Sequence, residues 1–190
     1  MKKGIALILI LALLALAPAA AGLAETSVLE SMAGLEWSFC SGAGAWSTDL
    51  QIQADGFFTG DYHDSDMGDS TDEYPDGTVY SCVFSGRLSL VGQVDENTWE
   101  IRVDELVKEE TGEAIIDRIR YIPSEPYGLS EGDIMLLYRP GTPVSVLSEE
   151  MQLWAHILDQ ENPPVELEDW FLSSETNDSG FVGYAPAYDP

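Results

Sequence analysis

Asp61, Asp64, Asp66, Asp69, Asp72, Glu73 and Asp76 crowd into residues 61–76 around His63. Such mutual repulsion needs a counter-ion. Calcium suits it, because it takes about six to eight oxygens and is bound weakly by loosely ordered extracellular loops. Asp61, Asp64, Asp66 and Asp69 are the candidate ligands, with His63 adjacent. The helix–loop–helix calcium pattern is not met: counting from Asp64 and Asp66, Gly68 stands where an acid belongs and Asp69 where the glycine belongs. A solvated hairpin loop that binds nothing is the competing reading. A transition-metal site built on His63 with Asp61 or Asp64 ranks below both, because one imidazole is a poor start for zinc.

Nucleophilic chemistry has few candidates. His63 and His156 are the two imidazoles of the chain. Ser41 and Ser47 flank a glycine-rich turn, but neither stands in Gly-x-Ser-x-Gly. Gly42-x-Gly44 lacks the third glycine and the following helix of a dinucleotide site. Carboxylate pairs for glycoside hydrolysis carry no information in a chain with 34 acids. Cys40 and Cys82 form a candidate disulfide if the chain is exported, since two is the smallest even count and export removes it from a reducing cytosol. Two buried thiols on separate strands are the alternative. Trp37, Trp46, Trp99, Trp154 and Trp170 are spread along the chain, which suits core packing, with a stacking platform for a carbohydrate or other ring as the sharper reading.

The formal net charge of −26 arises from 34 acids against 8 bases. Two of those bases, Lys2 and Lys3, open an apolar run over residues 5–17 that Pro18 breaks and small residues 19–24 end. This is the pattern of a secretory signal peptide covering residues 1–24, with cleavage after Ala24 favoured over Ala21. The apolar run is too short to span a bilayer of about 30 Å, and no Cys follows it to accept a lipid. The expected product is secreted or extracytoplasmic and of bacterial type. Beyond the leader Lys108 is the only lysine, so a phosphate backbone finds no clustered cations and nucleic acid is excluded as a partner. Five Trp, eight Tyr and six Phe separate the chain from the aromatic-poor acidic type that stays disordered.

These residues must be positioned by strands. Residues 50–53 alternate apolar and polar, Asp55-Gly56 is a strong hairpin dipeptide, and residues 57–62 resume the extended pattern. Residues 78–90 put Tyr80, Cys82 and Phe84 on one face, and residues 99–103 alternate strictly, with Trp99, Ile101 and Val103 inward and Glu100 and Arg102 outward. With residues 35–40, 45–53, 115–122 and 132–138, about eight strands precede residue 140. One helix is expected over residues 148–158, capped by Ser148, with Met151, Trp154 and Leu158 packing on the body. Residues 165–172 suit a last strand. The domain thus covers residues 25–172, and residues 173–190 read as a loosely ordered tail.

Residues 42–46, 55–60, 62–68 (Tyr-His-Asp-Ser-Asp-Met-Gly) and 74–80 resemble a group of uncharacterised secreted proteins and lipoproteins of anaerobic gut bacteria. The likeness runs from about residue 37 to 158 and implies a location and a fold, with no reaction attached. Gly44-Ala45-Trp46 also looks like the Gly-x-Trp at the first strand of lipocalins. With the strand count, that resemblance makes an all-β, antiparallel, lipocalin-like closed barrel the expected architecture, because closure removes exposed sheet edges. An open β-sandwich is the alternative. Two function classes follow. One is a binding module with a small apolar or aromatic ligand in the barrel interior; the other is a structural or interaction protein with an acidic, calcium-binding loop and no internal ligand. A hydrolase ranks below both.

The leader reading is checked by the intact mass of exported protein, which should correspond to a chain starting at Glu25. Retention of residues 1–24 in exported material would contradict it.

Overall fold

The computed structural model describes residues 28–158 and 160–186. The expected leader, its cleavage site and residues 187–190 lie outside them. Ten strands follow in chain order: β1 (Glu36–Cys40), β2 (Trp46–Ile52), β3 (Phe57–Asp66), β4 (Thr78–Gln93), β5 (Thr98–Lys108), β6 (Ala114–Ile116), β7 (Ile119–Pro123), β8 (Ile134–Tyr138), β9 (Trp170–Ser174) and β10 (Ser179–Tyr184). Two short helical segments accompany them, α1 over residues 28–32 and α2 (Glu149–Trp154). Eight strands close into an antiparallel barrel in the order β1-β2-β3-β4-β5-β8-β9-β10. The β3–β4 and β1–β10 pairings complete the ring. This is the lipocalin-like closed barrel, and the sandwich is set aside. The β6–β7 hairpin stands outside the ring, with β7 parallel to the first residues of β4.

The expected inward set is inward. Leu50, Ile52, Trp99, Ile101 and Val103 are buried, whereas Gln51, Gln53 and Arg102 are exposed and Glu100 is half-buried. The barrel centre is filled by large side chains, among them Trp37, Phe39, Phe58, Phe84, Phe181, Ile101, Leu137 and Leu172. One end is sealed by α1, whose Val28, Leu29 and Met32 join this core, while Trp37 donates its indole N–H to the Met32 carbonyl at 3.2 Å. It is therefore Trp37 that stands on the first strand, and Trp46 opens the second. A second cluster lies outside the wall of β8, β9 and β10, where Val144, Leu147, Met151, Ile157 and Leu167 cover Tyr138 and Phe171.

Four expectations are corrected. The expected strand over 115–122 is two strands, because Asp117 and Arg118 both adopt positive φ, 49° and 72°, and form the tight turn that two successive left-handed residues make. Arg118 also makes a bidentate ion pair with Asp76 at 2.8 and 3.1 Å. The expected helix over 148–158 stops at Trp154. Ser148 caps it as expected, accepting from the Met151 N–H at 3.1 Å, but His156 turns left-handed at φ 54°. The turn buries Ile157 in the second cluster and leaves Leu158 49% exposed, so Leu158 does not pack on the wall.

The expected strand over 165–172 starts only at Trp170, since residues 166 and 167 are held by Pro143, Gly141 and Thr142 outside the barrel.

The largest correction concerns the loosely ordered tail, which in fact supplies the end of β9 and all of β10. Ser173, Ser174, Ser179 and Gly180 read as a solvated loop, yet all are buried. Small residues are required there. A Cβ on Gly180 would lie 2.5 Å from the Phe171 ring, and one on Gly183 would lie 2.8 Å from the Trp37 indole. Ser174 and Ser179 satisfy their hydroxyls by donating to Asp133 Oδ2 and to the Gly128 carbonyl, each at 2.5 Å.

Removing residues 175–190 should leave β1 and β9 as open edges, and the cooperative melt should be lost to aggregation. In the full chain, Phe181→Ala should lower stability by about 3–5 kcal/mol in urea unfolding. A truncated chain melting like its parent would refute closure through β10.

Candidate functional site

At the end of the barrel away from α1, side chains from five elements meet. β1 ends at Phe39 and Cys40, β2 begins at Trp46, and β3 carries Tyr62. The loop between β7 and β8 brings Tyr127, and α2 brings Trp154. Phe39 is buried at the centre of the group. Its ring packs edge-on against Trp46 at 4.8 Å and Trp154 at 5.0 Å, and stacks on Tyr127 at 5.5 Å. Trp46 is also edge-on to Tyr127 at 5.3 Å, and Tyr62 lies tilted to Tyr127 at 5.7 Å. Trp46, Tyr62 and Trp154 are half-buried and Tyr127 is 43% exposed, so the group is packed beneath and open above.

The loop bearing Tyr127 is fixed by bonds from the wall. Thr48 Oγ1 donates to the Tyr127 carbonyl at 2.9 Å, and Ser179 donates to the next carbonyl. Carboxylates flank the rings. Trp154 donates its indole N–H to Asp178 at 3.1 Å, and Asp178 in turn raises the Glu150 carboxyl above the usual range by charge repulsion. On the other side burial, and after it the charges of Asp64 and Tyr127, push the Tyr62 phenol upward. All six Lys and Arg among the described residues are engaged in ion pairs: Arg87–Asp55, Arg102–Asp104, Lys108–Glu125, Arg118–Asp76, Arg120 with Asp69 and Glu113, and Arg139–Glu96. None of these pairs takes up Asp64, Glu150 or Asp178.

Around the rim, on the outer face of the wall, lies a polar row. Cys40 pairs in register with Ser47, and Ser47 with His63; in the next row Asp49 pairs with Asp61. Ser47 donates to Asp49 at 2.6 Å and lies 3.3 Å from His63 Nδ1. Its proton is thus directed to a carboxylate, which leaves Ser47 to accept at the imidazole and unsuited to be a histidine-activated nucleophile. Cys40 has a different partner, since its Sγ lies 3.9 Å from Nε2 of His156.

The acidic loop does not assemble as a metal cage. Asp61 belongs to the outer face beside Asp49, and Asp64 lies toward the aromatic rim. Asp66 spends Oδ1 on the N–H groups of Gly68 and Asp69, at 2.8 and 3.2 Å, as the acceptor of a turn. Asp69 faces Arg120 at 3.8 Å. The structure therefore does not bring Asp61, Asp64, Asp66 and Asp69 together, and His63 is joined to Ser47 instead. Among the described residues no group of three or more His, Cys, Asp or Glu is arranged to hold a metal ion.

Cys40 and Cys82 are both free, which corrects the expected disulfide. Two strands separate β1 from β4, placing the pair roughly 14 Å apart along the wall. That exceeds the Cα separation of about 7 Å beyond which no disulfide forms. Cys40 also faces outward, whereas Cys82 points into the core, where burial pushes its thiol pKa up.

The barrel interior carries side chains where an internal ligand was expected. A cleft of about 50 Å³ lies outside the wall, lined by Ala155, Ile157, Pro164, Leu167, Trp170 and others. Small-molecule sites need about 300 Å³ or more. Elsewhere, buried Asp133 accepts from Ser174 and Asn177 through Oδ2, while Oδ1 has no protein partner. Among the described residues no helix is long and apolar enough to cross a membrane.

Sequence reasoning found Trp46, Trp154, His63 and Cys40 singly. It missed Tyr127, and it missed the meeting of Cys40 with His156 across 116 residues. Strand alternation signals that Phe39 and Cys40 face opposite ways, but a contact with a residue beyond a helix end has no local signature.

Asp61 gives a pH test. Burial, then Asp49, raises its carboxyl above the ordinary 3.8, with His63 opposing. A raised carboxyl means that the folded state disfavours the ionised form. The cost is present above the folded pKa and vanishes as pH falls below the unfolded value. Asp61→Asn should therefore melt modestly higher than the parent at neutral pH, the advantage fading by about pH 3. An advantage that grew on acidification would reverse the assignment.

Compared with protein-family models, curated proteins and solved structures, the chain matches none, so its function is read from its own residues.

Proposed function

We propose that this protein is an extracytoplasmic binding module that holds a small organic cation, of the methylated ammonium or guanidinium class, on the aromatic rim of its barrel. One observation carries the reading: Trp46, Tyr62, Tyr127 and Trp154 meet at the rim as partly exposed rings, Asp178 accepts from the Trp154 indole and repels Glu150, the charge of Asp64 acts on Tyr62, and every described Lys and Arg is paired elsewhere. Aromatic faces attract cations through their quadrupole, by about 0.5–2 kcal/mol each. A chain of net charge −26 also raises the local concentration of cations at its surface. Anionic ligands are repelled by the same field. The filled interior supports a ligand on the rim over one within the barrel.

The bond from Thr48 to the Tyr127 carbonyl holds the most exposed ring in place before a ligand arrives, which reduces the ordering cost of binding. Affinity should be modest, because the site is an open platform and not an enclosed pocket. Calcium at residues 61–76 is the weaker second reading, since Asp66 and Asp69 already have partners.

The test is calorimetric titration with choline and with 3,3-dimethylbutan-1-ol, its neutral isostere. Choline should bind saturably and the isostere much more weakly. Tyr127→Ala should weaken choline by about five- to tenfold, on the order of 1 kcal/mol, in a protein that still unfolds cooperatively well above the titration temperature. Equal binding of both compounds, or a Tyr127→Ala protein that binds like its parent, would refute the site.

A further inference from the structure

We propose that Cys40 is a nucleophilic thiol served by His156 as its base, and that it exchanges with low-molecular-weight disulfides, so that the outer wall beside the rim is a site of reversible thiol modification. The pair is built by the fold. Cys40 is the last residue of β1, half-buried on the outer face, with its Sγ 3.9 Å from Nε2 of His156. His156 follows the C-terminal cap of α2 in a left-handed conformation, φ 54°, which most residues avoid. Across the imidazole lies Gly42, where an added Cβ would stand 3.7 Å from Cε1 at a φ of 71°. The ring is thus held between the glycine turn and the end of α2, with one nitrogen toward the sulfur. A thiol with a base in reach is the arrangement of an activated cysteine.

The other thiol supplies the contrast. Cys82 lies in the apolar core and its S–H is directed at the Val83 carbonyl, 3.8 Å away. No imidazole is given to it. Because Cys82 lies two intervening strands away on the opposite face, it cannot resolve an adduct formed at Cys40. Modification should therefore stop at one adduct per chain.

The exchange balances without a metal. His156 takes the Cys40 thiol proton, and the sulfur attacks one sulfur of a small disulfide RS–SR. The Cys40–SR bond forms as the RS–SR bond breaks, and the leaving thiolate takes the proton from the imidazolium to depart as RSH. Cys40 is oxidised and one equivalent of RS is reduced. Attack by another RSH on the mixed disulfide reverses the step.

The full chain, purified under reducing conditions and freed of reductant, is mixed with 2,2′-dithiodipyridine, a neutral disulfide that the acidic surface does not repel. One equivalent of 2-thiopyridone should be released rapidly at neutral pH, faster than from free cysteine at the same concentration, and a second only after denaturation. Cys40→Ser should abolish the rapid phase and Cys82→Ser should preserve it. His156→Gln, with its circular dichroism unchanged, should slow it by roughly tenfold or more. A rapid phase that survived Cys40→Ser, or one indifferent to His156→Gln, would overturn the proposal. If His156→Gln failed to fold, the parent protein decides, since a native Cys40 that reacts no faster than free cysteine overturns it as well.

Discussion

The whole molecule depends on the backbone pairing of β10 with β1. Without it an eight-stranded sheet presents two long edges, each a row of unpaired N–H and C=O groups inviting another chain. With it, no barrel strand is left as a sheet edge and both faces are defined, an inner one that fills with rings and an outer one that is part polar, part covered by Val144, Leu147, Met151, Ile157 and Leu167, and apolar but exposed at Val83, Val107 and Ile134. The pairing is possible only because β9 and β10 are built from small residues. Gly180 leaves room for Phe171 outside the wall and Gly183 leaves room for Trp37 inside it. A side chain at either position would have to displace an aromatic ring already packed on every side. Glycine lowers strand propensity, and here it is kept because a side chain at either position would meet the Phe171 or Trp37 ring.

Charge governs where a ligand can act. Some of the acids that crowd the sequence do local backbone work: Asp55, Asp66 and Asp95 each accept from an N–H two residues on, fixing turns. Each basic residue among the described residues is drawn into a nearby pair, as expected when so few cations face so many anions. The surplus negative charge then remains wherever no cation reaches, and the rim between Asp64 and Asp178 is one such place. Surface ion pairs contribute little to stability, so this distribution bears more on what the surface attracts than on how firmly the barrel holds.

The sequence made the barrel wall legible wherever a strand alternates with large inward residues, as at Leu50 and Ile52 or at Trp99, Ile101 and Val103. It misled wherever the inward or covered residues are small. Ser174, Ser179, Gly180 and Gly183 look like solvent-exposed loop by composition, and only their neighbours, Phe171 and Trp37, make them core. The helix was placed correctly at its start because Ser148 caps locally, and misplaced at its end because burial of Ile157 is a tertiary matter. Cys40 and Cys82 looked alike as the two cysteines of a chain expected to be exported. Register separated them, since a shift of one residue along a strand reverses the face.

The candidate site shows the same division between local and distant information. Most of its parts lie at the end of an element: Phe39 and Cys40 close β1, Trp46 opens β2, and Trp154 and His156 bracket the end of α2, while Tyr62 comes from within β3 and Tyr127 from a loop. Strand ends are where alternation stops constraining side chains and where loops from distant parts of the chain converge, so a site there is the least visible to a periodicity argument. The alternation does continue one step, however, and sends Phe39 into the ring cluster while turning Cys40 to the outer wall. The left-handed turn at His156 likewise separates Trp154, which stays over the rings, from the imidazole, which swings down beside the sulfur. Two adjacent surfaces of opposite character, an aromatic platform and a thiol–imidazole pair, therefore arise from the same two chain ends. A displacement of α2 would alter both at once.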